Sequence, residues 1–422
     1  MRNQQADIEN TTTQGADRVR ELGSTEHLFW LIDLNRPIHF VLVAEIDRIF
    51  EPGAWHAALL ALQQRHPLLS TRIVVEGDAV PAFVRDPDAR IPLRVVENAR
   101  ASWQVEAARE MNTPFDWSSA PLVRATVLQG EGGSTLILAA HHSVLDGMGG
   151  AYVIEDLLGA LAGGSLMSLP LVQPLESLTR AQMATAAIPD AMAPAPEPKR
   201  FRPASGARAE VAALSLGAPL TRAVVNRSRI ERTTVHGAVA AAVNEAGRRL
   251  SRSWRERPLR TVSPIDVRRT VGGMGQANGV YIAQTVTVDG RALGAPFWDA
   301  AREVKALLAP AQTLAAVVRE TKALHAFMSS NPSIEDAAGF LSHMLAFDVL
   351  LSNLGREPVA SVYEGFTLKA LWGPMVSSGF ADDQVVGVCT LGGVLRLTLA
   401  SYTAMPGLLE EVSAVLSEAT AA

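Results

Sequence analysis

Two adjacent histidines, His141 and His142, are followed by an Asp146-Gly147 pair and carry the clearest chemistry in this sequence. An apolar run typical of a β-strand precedes them and a helical pattern follows, which predicts a strand–turn–helix junction. Because successive side chains of a strand point to opposite faces, the two histidines cannot do the same job. We expect one imidazole to be packed and the other to face a gap, where it can accept a proton and return it.

The carboxylate of Asp146 lies where the predicted strand turns into the predicted helix. It either caps the first turn of that helix or folds back to brace the turn. Gly147 and Gly149 leave room for another backbone or a ligand to approach. The two histidines are neighbours on opposite faces, and the sequence has no further cysteine or histidine cluster with ligand spacing, so we expect no metal site.

The composition limits the classes of function. A chain of 422 residues with 48% hydrophobic residues is long enough for two domains, each with a sizeable core. The net charge of -5 argues against a nucleic-acid or polybasic membrane partner. A lone cysteine, Cys389, lies in an apolar run, which indicates a buried, inert thiol and fits a cytoplasmic location. Neither a secretory signal nor a membrane span is evident.

Strand-like and helix-like segments are mixed along both halves of the chain, which predicts an α/β (α+β) fold. The expected strands cover residues 40–46, 69–75, 122–128, 135–141, 261–265, 281–288, 347–351, 385–391 and 394–400. The expected helices begin at Pro52 and cover residues 153–161, 235–250, 298–308, 314–328, 334–344 and 408–416.

Changes in composition predict four segments. Residues 1–20 are polar and are expected to form a disordered lead, followed by an N-terminal lobe at 21–165 that contains the two histidines. Residues 166–208 are rich in proline and alanine and are predicted to be an interdomain linker. A C-terminal lobe is expected at 209–422.

The HHxxxDG pattern at 141–147 resembles the signature of condensation domains and chloramphenicol-acetyltransferase-like acyltransferases. Further stretches look like the same superfamily in the same order, and they cover roughly residues 24 to 401. The main ones are Arg65-His66-Pro67, Pro114-Phe115-Asp116, Ser263-Pro264-Ile265-Asp266-Val267-Arg268 and Ser352-Asn353-Leu354-Gly355. The freestanding size and the P-x-D-x-R form look most like polyketide-associated and phthiocerol dimycocerosyl transferases, which make esters.

The resemblance implies two chloramphenicol-acetyltransferase-like lobes, each a mixed sheet flanked by helices, with the active site in the tunnel between them. It also implies acyl transfer, with His142 as general base and His141 as a structural residue. Asp146 is expected to form an ion pair with an arginine, and Arg268 is the first candidate and Arg72 the second. The candidates for oxyanion donors are Ser352, Asn353 and the backbone N–H of Gly147.

The implied donor is acyl-CoA or an acyl group on the phosphopantetheine of a separate carrier protein, with no bound cofactor. The implied acceptor is a small alcohol, so that the product is an ester in specialised polyketide, peptide or lipid metabolism. A monomer would be sufficient, since the tunnel lies between lobes of one chain. Amide formation on an amine, a non-catalytic carrier-binding role, and epimerisation or cyclisation in the same cleft remain alternatives.

Three features have two interpretations. Residues 352–355 either supply oxyanion donors or form a strand-ending turn. The glycine-rich residues 272–279 do not match a dinucleotide fingerprint and are read as a mobile loop beside the tunnel. A cluster of arginines either docks an acidic carrier or CoA phosphates, or is a solvated helix end. Its members are Arg248, Arg249, Arg252, Arg255, Arg257 and Arg260.

Overall fold

The computed structural model describes residues 17–77, 79–97, 102–186, 208–380 and 382–421. It confirms an α/β (α+β) architecture with two six-stranded mixed sheets, each flanked by helices, and a small three-stranded sheet.

The strands are given in chain order. They are β1 (Arg18–Glu21), β2 (Phe40–Ile46), β3 (Thr71–Val74), β4 (Ala82–Arg85), β5 (Leu93–Val96), β6 (Val123–Gly130), β7 (Gly133–Ala140), β8 (Glu210–Leu216), β9 (Leu259–Asp266), β10 (Ile282–Asp289), β11 (Val349–Arg356), β12 (Val362–Tyr363), β13 (Phe366–Val376), β14 (Gln384–Leu391) and β15 (Val394–Ser401).

The α-helices follow the same order. They are α1 (Ser24–Asn35), α2 (Pro52–Arg65), α3 (Trp103–Met111), α4 (Gly147–Leu161), α5 (Leu175–Leu178), α6 (Arg180–Thr185), α7 (Ala218–Ile230), α8 (Val235–Leu250), α9 (Arg252–Arg255), α10 (Arg268–Val271), α11 (Phe297–Leu308), α12 (Leu314–Met328), α13 (Ile334–Met344) and α14 (Leu408–Ala421).

The first large sheet has the strand order β12-β13-β2-β7-β6-β5. Strand β2 is buried on both faces, which explains its unbroken apolar sequence. Phe40, Leu42 and Ala44 face the core under the helices, whereas Val41 and Val43 face a second core that reaches the other large sheet. A side chain at Gly150 would collide with Leu42, so this glycine lets α4 lie close against β2.

The second large sheet has the order β10-β9-β11-β14-β15-β8, in which β11 runs parallel to β9 and β14. Helix α8 packs on it through an alanine-rich face that includes Ala238 and Ala242. Strand β13 comes from the second half of the sequence but pairs with β2 in the first sheet. The sequence analysis did not predict β13, and this crossing joins the two sheets.

The prediction of a disordered lead over residues 1–20 is wrong at its end. Residues 1–16 lie outside the described residues, but Arg18–Glu21 forms β1 and pairs with β4. A polar sequence usually indicates exposed chain, and for that reason the strand was not predicted. The side chain of Arg20 is instead buried in an ion pair with Glu26.

The predicted linker at 166–208 is described at residues 166–186 and at residue 208. That part contains α5 and α6, and Val172 and Leu175 pack into a cluster with Val267, Tyr281 and Val317 of the second half. Within the described ranges, no helix combines the length and the apolar character needed to cross a bilayer.

Candidate active site

The two histidines lie in a tight turn between β7 and α4, at the inner end of the first sheet. The backbone N–H of Val144 donates to the carbonyl of His141, and the hydroxyl of Ser143 donates to the carbonyl of Glu26 in α1. Asp146 is the N-cap of α4, and its side chain accepts the N–H of Gly149 at 2.7 Å. These hydrogen bonds hold the turn to itself, to the first turn of α4 and to α1.

The Asp146 carboxylate is fully buried and is bound by Arg268 of α10. Two guanidinium nitrogens of Arg268 donate to its two oxygens at 2.9 and 3.0 Å. The backbone N–H of Tyr281 donates to the same carboxylate at 2.9 Å, and the N–H of Asp146 donates to the carbonyl of Gly279. Asp146 therefore joins the first sheet to the second half of the chain.

Arg268 is almost fully buried and is held from several sides. It also donates to Asp266, and its guanidinium lies 5.1 Å from the ring centre of Tyr281 and 5.8 Å from that of Tyr152. Burial alone would lower the pKa of Arg268, but the carboxylates of Asp146 and Asp266 hold it above its ordinary value. The alternative partner considered for Asp146, Arg72, lies instead in β3 of the small sheet.

His141 is fully buried in the first lobe. Its Nδ1 accepts the N–H of Ser143 at 3.2 Å, and its Nε2 lies 3.5 Å from a carboxylate oxygen of Asp33. Because Nδ1 accepts a hydrogen bond, the proton of the neutral ring is on Nε2, facing Asp33. Burial would raise the pKa of Asp33, but His141, the backbone N–H of Ile38 and His39 together hold it below its ordinary value.

His142 points the other way, into the cleft, and is half-buried. Its Nδ1 lies 3.0 Å from the carbonyl of Leu145, which can only accept a hydrogen bond, so Nδ1 carries the ring proton. The unprotonated Nε2 is then the atom available to the cleft. The rings of Phe29 and Phe40 lie 4.4 and 5.1 Å from the imidazole. Burial lowers the pKa of His142, although the charge of Asp146 opposes this shift.

The cleft, counted together with the solvent space at its mouth, has a volume of about 1030 Å³ and is lined by residues from both halves of the chain. Most of the lining side chains are apolar. The lining residues are Phe29, Ile32, Ile38, Phe40, His142, Asp146, Gly147, Met148, Pro264, Asp266, Ile282, Gln284, Leu341, Leu345, Phe347, Leu350, Ser352, Asn353, Leu354, Pro374, Val376, Ser377, Ser378 and Phe380.

One wall of the cleft is built by three strands that present alternate side chains to it. These side chains are Pro264 and Asp266 of β9, Ile282 and Gln284 of β10, and Leu350, Ser352 and Leu354 of β11. Among the described residues, β11 pairs with β9 only at Val349 and Leu350. The two strands separate beyond that point, and the cleft lies where they part.

The predicted oxyanion donors lie around this wall. Ser352 faces the cleft in strand β11, whereas the side-chain oxygen of Asn353 accepts the N–H of Gly355 at 2.8 Å. These residues belong to the strand, at a bulge, rather than to a turn that ends it. Gly147 is the first residue of α4, where backbone N–H groups lack helical partners. A side chain at Gly147 would collide with Pro374.

Sequence reasoning missed Gln284 and its partner Glu320. The side chain of Gln284 lines the cleft, and its backbone N–H donates at 3.0 Å to the carboxylate of Glu320 in α12. Burial raises the pKa of Glu320 to about 7. No local motif marks either residue, because a strand edge and a distant helix bring them together.

The arginine cluster is engaged within the protein. Arg249, for example, contacts three glutamates, and Arg248 is buried against Asp289. The remaining partners are Glu256 for Arg252, the carbonyls of Arg248 and Arg249 for Arg255, Asp348 for Arg257, and the carbonyl of Ala346 for Arg260. These contacts favour a structural interpretation over docking of an acidic partner.

Comparisons with known proteins point to one fold. The condensation domain family matches residues 38–175. Phosphinothricin tripeptide synthetase PhsC from Streptomyces viridochromogenes is 30% identical over 151 residues, which make up 33% of this chain and 14% of that protein. The chain therefore spans a small fraction of this curated relative.

Solved structures extend the similarity to the whole chain. Polyketide synthase associated protein 5 from Mycobacterium tuberculosis superimposes with a TM-score of 0.71 and 17% identity, over 97% of this chain and 100% of that chain. Trichothecene 15-O-acetyltransferase from Fusarium sporotrichioides gives 0.69 and 12% identity, over 95% and 94%. At these identities the similarity establishes the shared fold, and the two-lobe architecture expected from the sequence is confirmed.

Proposed function

We propose that the chain is a member of the superfamily of condensation domains and chloramphenicol-acetyltransferase-like acyltransferases, and that it transfers an acyl group from a thioester to a small acceptor. The preferred acceptor is a hydroxyl group, which gives an ester. The observation that carries the proposal is the orientation of His142, whose Nε2 is unprotonated and faces the cleft.

His142 acts as general base. Its Nε2 takes the proton of the acceptor hydroxyl while that oxygen attacks the thioester carbonyl. The carbonyl becomes an oxyanion, for which the Ser352 hydroxyl and the Gly147 N–H are donor candidates. When the tetrahedral intermediate collapses, the carbon–sulfur bond breaks and the departing thiolate receives the proton from Nε2. The imidazole is neutral again at the end of the cycle.

Asp146 and Arg268 are positioning residues in this proposal. Both oxygens of Asp146 are occupied by the guanidinium of Arg268 and by backbone N–H groups, and the carboxylate is fully buried. Their contact holds the turn that carries His142 against the second half of the chain. Neither residue is needed to carry a proton.

The donor is proposed to be acyl-CoA or an acyl group on the phosphopantetheine of a carrier protein. An amide-forming reaction is the second candidate, because the matched segment is similar to a peptide synthetase. His142 serves an amine acceptor by the same proton transfers.

The test measures thiol release from acyl-CoA and acyl-pantetheine donors, with and without pooled alcohols and pooled amines, followed by mass spectrometry of the products. The His142→Ala protein is the negative control, because it lacks the proposed general base. Acceptor-dependent release that yields an ester supports the leading proposal, whereas an amide product supports the second. Carrier binding without acceptor-dependent release from any donor would contradict both and favour a non-catalytic binding role.

A further inference from the structure

We propose that one end of the cleft is a closed subsite for the apolar tail of the transferred acyl group, and that Phe347 and Phe380 set the maximum length of that tail. The inference rests on the acyl transfer proposed above. The closed end is defined by five residues that line the cleft, Leu341, Leu345, Phe347, Leu350 and Phe380.

Strand register places the closed end away from His142. Leu354 of β11 lies beside Gly147, next to the histidine turn, because a side chain at Gly147 would come within 3.4 Å of Leu354. Ser352 and Leu350 follow on the same face of β11 as the strand is traced back toward Phe347. Strand β11 spans about 10 Å from Ser352 back to its first residue, Val349, and Phe347 lies two positions before the strand begins.

The composition of the cleft changes along this direction. Near His142 the three-strand wall includes Asp266, and Gln284 and Ser352 follow at its middle. Every residue that defines the closed end is apolar, and Phe347 and Phe380 share a small core with Val262 beneath them. Ser377 and Ser378 also line the cleft, but their hydroxyls donate within the protein, to the carbonyl of Pro37 and to the carboxylate of Asp383. A hydrocarbon chain is the chemistry that gains from burial at this end, because the five residues that define it offer apolar contact.

The two rings close this end. They meet edge to face with their centres 5.5 Å apart, and Phe380 is 1% exposed and Phe347 3% exposed. Their packing against Val262 leaves them as part of the core rather than as a free gate. A substrate group that enters this end therefore stops at the rings.

The two substituents of the reacting carbonyl indicate which part of the substrate occupies this subsite. The thioester carbonyl has two substituents, the acyl chain and the thiol arm. The thiol arm must extend to solvent, because its CoA or carrier protein remains outside the cleft. A closed end cannot pass such an arm, so the acyl chain is the substituent that extends past Ser352 toward Phe347.

The experiment measures binding rather than turnover. The probes are S-(2-oxoalkyl) pantetheine thioethers, in which a methylene separates the sulfur from the carbonyl so that no thiolate leaves, with alkyl chains graded in length from the acetyl to the palmitoyl equivalent. In the unaltered protein, affinity should rise about fourfold per added methylene until the chain reaches the rings, and then fall. Calorimetry gives the optimum length.

Three variants test the role of the rings. Phe380→Ala should move the optimum to longer chains, and Leu341→Trp, which adds volume at the closed end, should move it to shorter ones. Phe297→Ala is the matched control, because Phe297 packs with Trp298 outside the cleft; its optimum should equal that of the unaltered protein. Should Phe380→Ala not fold, Leu341→Trp decides alone.

Affinity that does not depend on chain length, or an optimum that stays in place in the folded Phe380→Ala and Leu341→Trp proteins, would overturn the proposed subsite. This outcome is separate from a failure of the proposed function. A chain-length optimum that responds to the variants, in a protein that releases no thiol from any donor, would leave the tail subsite standing and contradict acyl transfer.

Discussion

His141 and His142 are neighbours of the same residue type, yet the structure gives them opposite surroundings. His141 is fully buried and faces Asp33 inside the first lobe. His142 turns its Nε2 to the cleft and has only a backbone carbonyl at Nδ1. A histidine is therefore a candidate general base when its unprotonated ring nitrogen faces the cleft and a hydrogen bond holds the proton on its other ring nitrogen.

The largest expected effect separates the two histidines directly. His142→Ala should lower kcat/KM by about 10²- to 10⁴-fold, which is the usual contribution of a general base. Its thermal unfolding midpoint should change little, since the ring is only half-buried. The measurement is steady-state transfer together with thermal unfolding on the same preparation.

His141→Ala should show the reverse pattern. It leaves a cavity and removes the contact of His141 with the nearly buried carboxylate of Asp33, so we expect a loss of about 3 kcal/mol in the free energy of unfolding. The folded fraction should keep measurable transfer. Equal losses of rate and of stability in both variants would contradict the division of roles.

A second prediction concerns the ion pair between Asp146 and Arg268, which holds the turn that carries His142. Arg268→Ala leaves the buried Asp146 carboxylate without its counter-charge, and should lower the free energy of unfolding by about 3–5 kcal/mol. Arg252→Ala is the matched control, because Arg252 forms an exposed pair with Glu256 one helical turn away; its loss should stay under about 1 kcal/mol. Urea unfolding of both proteins measures these free energies. Similar losses in the two variants would show that the ion pair between Asp146 and Arg268 adds no stability.

A third and smaller effect concerns Glu320. Burial favours the neutral form of this acid, as it favours the neutral form of His142, and so it raises the pKa of Glu320 and lowers that of His142. The pKa of Glu320 is raised to about 7, above the value of about 4.3 in an unfolded chain. The folded state binds the extra proton between these values, so this carboxyl makes the protein less stable as pH rises through the window from about 4.3 to 7.

Glu320→Gln removes that titration and still offers an oxygen to the N–H of Gln284. The stability of the variant relative to the unaltered protein should therefore increase from about pH 5 to about pH 8 and then level off. Urea midpoints at several pH values measure it, with the exposed Glu364→Gln as control. A difference that is constant with pH would show that Glu320 ionises normally in the folded protein.

Local patterns in the sequence predicted the elements whose partners are close in the chain. Strand β2 and helix α8 have the predicted bounds, and β6 and β7 overlap the strands predicted at 122–128 and 135–141 and pair with each other. Strand β13 was missed, and it contains Gly373 and Pro374, two residue types that are uncommon inside a strand. Its pairing with β2, more than 300 positions earlier, leaves no local periodic signal.

The candidate site shows the same limit. A spacing pattern singles out His142 and Asp146, because they lie in one short turn. Gln284, Phe347 and Phe380 reach the cleft only through the register of strands from separate parts of the chain. No local motif could mark them, since their neighbours in space are distant in sequence.

The most direct test of the central claim is the pH dependence of kcat/KM, measured with an alcohol acceptor that does not titrate in the range used. If His142 is the base and burial keeps it neutral, activity should persist below the ordinary histidine pKa of about 6.5 and fall along an acid limb whose midpoint lies lower. That limb should be absent from the residual activity of His142→Ala. An acid limb centred at or above about 6.5, or one that survives in His142→Ala, would contradict the account.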